Sequence, residues 1–124
     1  MPDAAPKSLI CRRSHGSTGV LTVRAAEVYR AETVEQLGRD IRREIEAVGP
    51  GQQFVLDLSG VTFLSSITLG LILNIHAHLK DRGYPFAVVA GAGEVAEVFA
   101  RSHLGTALPV FATVEDALRE FRCL

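Results

Sequence analysis

Two adjacent hydroxyls, Ser65 and Ser66, are the residues of this chain best placed to do chemistry. They stand between a short apolar run and a long helical pattern, where their side chains can cap the amino terminus of the helix. A serine at such a position can also accept a phosphoryl group, because the free amides and the dipole of the helix tolerate added negative charge. Spacing alone favours the cap, and the two roles are compatible.

The other residues with catalytic or metal-binding potential do not form a recognisable site. The Gly91-Ala92-Gly93 turn lacks the third glycine of a dinucleotide-binding loop, and neither serine has the flanking glycines of a hydrolase elbow. His76 and His78 are two residues apart on a helix and point to opposite sides, so they cannot chelate one ion. The sequence predicts no metal, no cofactor and no enzymatic activity. A deep pocket lined by Asp57, His76 or His103 would revive the hypothesis of a small enzyme.

Composition and charge are typical of one soluble domain. The chain has 124 residues, of which 48% are hydrophobic and 22% charged. Its 13 Lys and Arg are offset by 14 Asp and Glu, so no basic face for nucleic acid is indicated. The longest apolar run, at 69–75, is far shorter than the roughly 20 residues that cross a bilayer. We expect a cytoplasmic protein with a flexible N-terminus at 1–8, one domain at 9–124, no nucleic-acid partner and no insertion into a membrane.

The cysteines support this expectation about compartment. Cys11 and Cys123 lie near opposite ends of the chain, without a CxxC motif or a neighbouring histidine cluster. This usage is typical of idle thiols in a reducing compartment rather than of a disulfide or a metal site.

Short β-prone runs alternate with helical patterns along the chain. The runs 9–13 and 20–25 flank a polar connector and predict an antiparallel hairpin. The nearly all-apolar runs 54–58 and 86–90 predict buried parallel strands, and 108–111 predicts an edge strand because it contains a proline. The order ββαβαβαβα therefore predicts an α/β fold with a mixed, mostly parallel sheet, an N-terminal antiparallel hairpin and about four helices.

Four helices are predicted from capping residues and apolar periodicity. The first begins at Thr33, which has capping-box spacing to Gln36, and the second runs from the two serines to about Arg82. A short third helix follows Gly93, and Thr113 caps the last. Asp57, at the end of a strand, is predicted to bond loop amides, with a smaller prospect of helping to hold the hydroxyl of Ser66.

The second helix carries two apolar stripes, more than packing on the sheet alone would cover. The first stripe consists of Leu69, Ile72, Leu73 and His76, and the second of Ile67, Leu71, Ile75 and Leu79. The second stripe packs either on the preceding helix, against another protein, or against a second copy of this chain in a homodimer.

The segment 56–73 resembles the core of the STAS domain, the fold of bacterial anti-sigma factor antagonists. It reads LDLSGVTFLSSITLGLIL, against a family pattern of LDLS-x-V-x-F-[ILM]-D-S-S-G-L-G-x-L. The stretches 98–104 and 113–118 are similar to the closing part of the family, so the resemblance spans about 9–121. Ser66 matches the phosphorylated serine of the family, whereas Ser65 stands where Asp is usual and Ile67-Thr68 where Ser-Gly is common.

This resemblance implies a non-enzymatic regulator of transcription that binds an anti-sigma factor or a serine kinase of the anti-sigma type. Phosphorylation of Ser66 would release that partner. The partner-binding residues expected from it are Ser65, Ser66, Ile67, Thr68 and Leu71. The alternative is a structural STAS subunit that is never phosphorylated, within a signalling complex or a lipid-transport ATP-binding cassette system. Ser65 in place of Asp and the bulky Ile67 favour this alternative.

Overall fold

A computed structural model of the chain describes residues 8–48, 51–102 and 108–122. These residues form seven strands and four helices. The strands are β1 (Ile10–His15), β2 (Thr18–Val23), β3 (Glu27–Val28), β4 (Gln53–Asp57), β5 (Phe63–Leu64), β6 (Phe86–Val89) and β7 (Val110–Phe111). The helices are α1 (Ala31–Glu46), α2 (Ser66–Asp81), α3 (Glu94–Arg101) and α4 (Val114–Arg122).

The main sheet has five strands in the order β1-β2-β4-β6-β7. β1 and β2 form an antiparallel hairpin, and every other neighbouring pair in this sheet is parallel. The predicted fold class is therefore confirmed, including the edge position of the last strand. Two-residue strands β3 and β5 form a second parallel ladder that the apolar pattern did not reveal.

Strand alternation divides the core into two layers. Leu21, Leu56 and Val88 belong to a large cluster that also contains the apolar residues of α1 and α2. Their neighbours Val20, Val55 and Ala87 pack with α4 on the opposite face. Because successive strand residues point to opposite faces, one short run supplies both layers. Four helices on two faces thus cover a sheet whose central strands are buried on both sides.

Two local predictions about element boundaries were wrong. α1 begins at Ala31 with Arg30 as its N-cap, so the capping box at Thr33 does not start the helix. The chain leaves β3 at Val28 and turns directly into α1, and Val34 N–H donates to the Arg30 carbonyl at 2.9 Å. The hairpin turn is tighter than predicted, with Gly16 at φ 61°, and His15 therefore ends β1 instead of lying in a loop.

The carboxyl-terminal elements follow the sequence prediction. Gly93 is the N-cap of α3, and Asp116 N–H donates to Thr113 Oγ1 at 3.1 Å at the start of α4. Cys11 is exposed on β1. His103, Cys123 and most of the predicted flexible N-terminus lie outside the described residues. Of the helices in the described ranges, none has the length and apolar character that crossing a membrane requires.

Candidate functional site at the start of helix α2

The loop between β4 and β5 begins at a carboxylate that stabilises the end of β4. Asp57 Oδ1 accepts a hydrogen bond from Ser59 N–H at 2.9 Å, and its Oδ2 accepts one from Thr22 Oγ1 at 3.4 Å. This confirms the prediction that Asp57 bonds a loop amide. The described residues show no hydrogen bond between Asp57 and Ser66.

Two backbone carbonyls, one directly before β3 and one at its end, hold the start of α2 in place. The Ala26 carbonyl accepts from Thr62 N–H at 2.7 Å and from Thr62 Oγ1 at 3.1 Å. Two residues further along the chain, the Val28 carbonyl accepts from Ser65 N–H at 3.3 Å and from the buried Thr68 Oγ1 at 2.7 Å. These hydrogen bonds to the carbonyls of Ala26 and Val28 therefore determine where α2 begins and how it points.

The two serines occupy different positions in this start. Ser65 is the N-cap, as predicted, but its hydroxyl makes no capping hydrogen bond to the helix backbone and lies 3.4 Å from Thr68 Oγ1. Ser66 is the first helical residue, and its side chain is exposed. In the described part of the chain the Ser66 hydroxyl has no hydrogen-bond partner, and the first turn of α2 has no acidic residue. The hydroxyl is thus accessible to solvent at the positive end of a helix.

Three large apolar side chains are exposed among the described residues, and all belong to the elements around Ser66. We call them the apolar patch: Tyr29, Phe63 and Ile67, with 39%, 49% and 57% of their surface exposed. Tyr29 and Phe63 form an edge-to-face pair with ring centroids 5.5 Å apart. Ile67 follows Ser66 directly. Exposed apolar residues that group in this way are typical of a contact surface rather than of scattered surface hydrophobics.

Arg30 borders the apolar patch with a cation. Its guanidinium carbon lies 5.9 Å from the centre of the Tyr29 ring. The Tyr29 side chain, by accepting a hydrogen bond and by its charge interaction, raises the pKa of Arg30 further above its ordinary value. A permanent positive charge therefore stands at the edge of an aromatic surface.

The residues predicted to bind a partner divide into exposed and buried groups. Ser66 and Ile67 are exposed, whereas Thr68 is completely buried and holds the helix start through the Val28 carbonyl. Leu71 is half-buried against α1, where its Cδ1 lies 3.0 Å from the position that a Cβ on Gly38 would take. Most of the second apolar stripe is covered within the domain, because Ile75 and Leu79 are also buried.

Tyr29 and Phe63 were not among the predicted site residues. The signal that could have identified Phe63 is its position directly before Leu64, since alternation places neighbouring strand residues on opposite sides. Tyr29 is brought to the site by the pairing of β3 with β5, which joins residues 36 apart in the chain. Two-residue strands are too short for a period to be recognised in the sequence.

The histidines of α2 lie in different environments. His76 is half-buried with its ring 6.1 Å from that of Phe86, and burial, followed by the nearby charge of Lys80, lowers the pKa of His76. His78 is exposed. The described ranges contain no group of three His, Cys, Asp or Glu side chains placed to hold a metal ion.

His76 also borders an open cleft of about 470 Å³ between the carboxyl ends of α2 and α4. Its walls are mainly apolar, from Tyr84, Phe86 and Phe121, with Lys80 and Glu120 at the rim. The described lining includes neither serine nor cysteine.

Comparison with known proteins agrees with this architecture. The family profile of the STAS domain matches residues 13–117. The chain belongs to the STAS domain family. No curated protein matches its sequence. The STAS fold is shared with the crystal structure of an anti-sigma factor antagonist from Mycobacterium paratuberculosis, which is 26% identical with a TM-score of 0.79. That alignment covers 91% of this chain and 92% of the other.

Two further STAS structures are similar in fold. The anti-sigma factor antagonist SpoIIAA in its unphosphorylated form is 19% identical with a TM-score of 0.65, over 93% of this chain and 99% of that one. The murine Slc26a9 anion transporter is 15% identical with a TM-score of 0.75, over 90% of this chain but only 19% of its own. The STAS fold therefore occurs both as a whole small protein and as one part of a much larger chain.

Proposed function

We propose that this STAS domain is a non-enzymatic regulatory protein of the bacterial cytoplasm that acts as an anti-sigma factor antagonist. It binds an anti-sigma factor, or a serine kinase of the anti-sigma type, through the apolar patch and the start of α2. Phosphorylation of Ser66 ends that binding. The observation that carries the proposal is an accessible, unpartnered Ser66 hydroxyl next to the exposed Ile67. The similarity to an anti-sigma factor antagonist of known structure supports it.

The position of Ser66 explains how one modification can control binding without unfolding the domain. A phosphate adds roughly −1.5 to −2 charges at neutral pH, and the free amides at the start of α2 accommodate them. A docked partner that covers Ile67 would have to strip water from this charge, which costs several kcal/mol where no cation compensates it. The first turn of α2 provides no basic residue to do so. The penalty therefore falls on the interface and not on the fold.

A phosphorylation assay tests the proposal directly. The protein is incubated with a serine kinase of the anti-sigma type that binds it and with ATP, and the modified residue is located by tandem mass spectrometry. We expect one phosphate, on Ser66. Ser66→Ala should prevent the modification, whereas Ser65→Ala, which removes the adjacent hydroxyl, should not. An unmodified Ser66 in a kinase preparation that binds the protein would refute the switch.

A binding experiment tests the consequence of the modification. Ser66→Asp should weaken kinase binding at least about 30-fold, which corresponds to about 2 kcal/mol, whereas Ser66→Ala should retain it. Ser14→Asp is the matched control, because it adds the same charge at an exposed position in β1. Equal affinity of the Ser66→Asp and Ser14→Asp variants would contradict the proposed interface.

A second function is favoured by the residues on either side of Ser66. Ser65 is neutral where Asp is usual, and Ile67 adds exposed apolar surface directly after the acceptor position. Both features suit a structural STAS subunit, in a signalling complex or a lipid-transport ATP-binding cassette system, that is never phosphorylated. The presence of this fold inside the Slc26a9 transporter supports such a role. In this case the assembly would tolerate Ser66→Ala, and it would tolerate Ser66→Asp unless the contact buries that position, whereas Ile67→Asp would disrupt it.

A further inference from the structure

A second concave site lies at the opposite end of the sheet from Ser66. An open cavity of about 570 Å³ is bounded by the β1–β2 turn, the amino end of β4 and the carboxyl end of α4. Ser66 follows the carboxyl end of β4, and α2 packs on the other sheet face. The cavity is therefore separate from the proposed kinase-binding surface, and its volume is within the roughly 300–1,000 Å³ that small-molecule sites occupy.

The described lining of this cavity has basic residues and no acidic ones. Arg122 and His15 stand on two sides of it. In the described ranges Arg122 has no carboxylate within ion-pair distance, whereas the preceding basic residue of α4, Arg119, pairs with Asp116 at 3.2 Å. Arg122 also counters the negative end of the α4 dipole, which would otherwise disfavour an anion here. The charges of the described lining therefore favour a ligand with a negatively charged group.

The floor of the cavity supplies an oriented hydrogen-bond donor. Thr18 Oγ1 donates to Gln53 Oε1 at 2.8 Å, and Gln53 N–H donates to the Ser17 carbonyl at 2.9 Å. The backbone bond fixes the position of Gln53 at the start of β4, and the bond from Thr18 orients its half-buried side-chain amide so that Nε2 is the free end. Nε2 makes no hydrogen bond to the described residues. Ser17 adds an exposed hydroxyl at the same edge. Amide and hydroxyl donors next to a guanidinium are the groups that recognise phosphate or carboxylate oxygens.

One wall of the cavity is apolar. Leu118 and Phe121 of α4 line it, and Phe121 is 7% exposed, so its ring is held by the packing on Val20 and Val55. We propose that this cavity binds a small organic anion, in which a phosphate or carboxylate contacts Arg122, His15 and the Gln53 amide. A planar apolar body attached to the anion lies against Leu118 and Phe121. The residues that would bind it come from three separate elements of the fold.

The probe for this site is 1-naphthyl phosphate, which combines an anion with a planar apolar body. Titration into the ¹⁵N-labelled protein, followed by NMR, should give saturable shifts of the Gly16, Ser17 and Gln53 amides. Arg122→Gln should weaken binding about tenfold, and His15→Gln about threefold. Arg119→Gln removes the same charge from the same helix outside the cavity, and His78→Gln removes an exposed imidazole from α2. Neither control should change the affinity.

Three comparison ligands define the chemistry. Inorganic phosphate lacks the apolar body and 1-naphthol lacks the anion, so each should bind at least tenfold more weakly than 1-naphthyl phosphate. The affinity of 1-naphthoate shows whether the site prefers a carboxylate or a phosphate. Absence of saturable binding, equal binding of inorganic phosphate, or equal losses in Arg122→Gln and Arg119→Gln would each overturn the proposal. Unchanged binding in Ser66→Asp would support a site independent of the kinase surface.

Discussion

The helices α1 and α2 have the same length, 16 residues each, but they expose very different surfaces. α1 buries one stripe that includes Leu37, Ile41 and Ile45, and its outer face carries charged residues such as Glu35 and Arg39. α2 buries Ile72, Ile75 and Leu79, yet its amino end exposes Ile67 beside Ser66. The outer face of α1 is therefore polar and suited to contact with solvent, whereas α2 still exposes apolar surface although its other apolar residues are packed within the domain.

This difference separates structural from functional apolar residues on one helix. Residues of α2 from Thr68 onward that face the sheet are buried, and removing them should affect stability. Ile67 is one residue earlier and is 57% exposed, so removing it should affect binding instead. The following four predictions test this separation.

Ile72→Ala should cost about 3 kcal/mol of unfolding free energy, because Ile72 is completely buried and its loss leaves a cavity. Urea denaturation followed by circular dichroism measures the change. The matched control is Ile67→Ala on the same helix, which should change the unfolding free energy by less than about 0.5 kcal/mol. Equal losses in the two variants would show that Ile67 is part of the core.

Thr68→Val should cost about 1 kcal/mol of unfolding free energy, because it removes the buried hydrogen bond to the Val28 carbonyl. The loss is moderate, since Ser65 N–H still donates to that carbonyl. Thr62→Val is the control: the Thr62 hydroxyl also donates to a backbone carbonyl, that of Ala26, but this bond is exposed, so water can replace it. A loss in Thr62→Val as large as in Thr68→Val would contradict the assigned role of Thr68.

Ile67→Ala should weaken binding of the partner kinase about tenfold, or about 1.4 kcal/mol, because it removes apolar contact area beside Ser66. Isothermal titration calorimetry with the purified kinase measures this change. Glu35→Ala, on the exposed face of α1, should leave the affinity unaltered. If both variants bind as tightly as the unmodified protein, the partner does not contact the apolar patch through Ile67.

Gly38→Ala should change the unfolding free energy by less than about 1 kcal/mol, because two effects oppose each other. Alanine favours the helix by about 1 kcal/mol. Its Cβ would lie 3.0 Å from Leu71 Cδ1 and 3.2 Å from an Arg42 guanidinium nitrogen, so both side chains must shift. Gly38→Val adds two methyl groups at the same contact and should destabilise by about 2 kcal/mol. A Gly38→Val variant as stable as Gly38→Ala would show that α1 and α2 are not closely packed there.

The sequence was sufficient for the elements whose apolar period is long or whose capping residues are unambiguous. β4 and β6 were found because the runs 54–58 and 86–90 are nearly all apolar, and α4 because Thr113 caps a clear single stripe. The start of α1 was misplaced because Thr33 and Gln36 have the spacing of a capping box, while the preceding strand leads the chain into the helix at Ala31. The position of β3 in the fold therefore determines where α1 begins, and the capping-box spacing at Thr33 does not.

The sequence predicted the position of the candidate site but only some of its residues. Ser66 and Ile67 were identified from the start of α2, whereas Tyr29 and Phe63 were not, because they reach the site through a pairing of two-residue strands. Thr68 was predicted among the partner-binding residues, and the structure adds that its side chain is buried and donates to the Val28 carbonyl.

The sequence by itself determined the STAS fold, the order of its elements and the presence of a serine at the start of α2, because these depend on local periodicity and on a contiguous motif. Only the tertiary structure decided which apolar residues of α2 remain exposed and which aromatic residues join them. That outcome depends on contacts between residues distant in the chain, such as Leu71 with Gly38 and Val28 with Leu64. A pattern along one segment records which residues are apolar, but the neighbouring segments determine which of them water can reach.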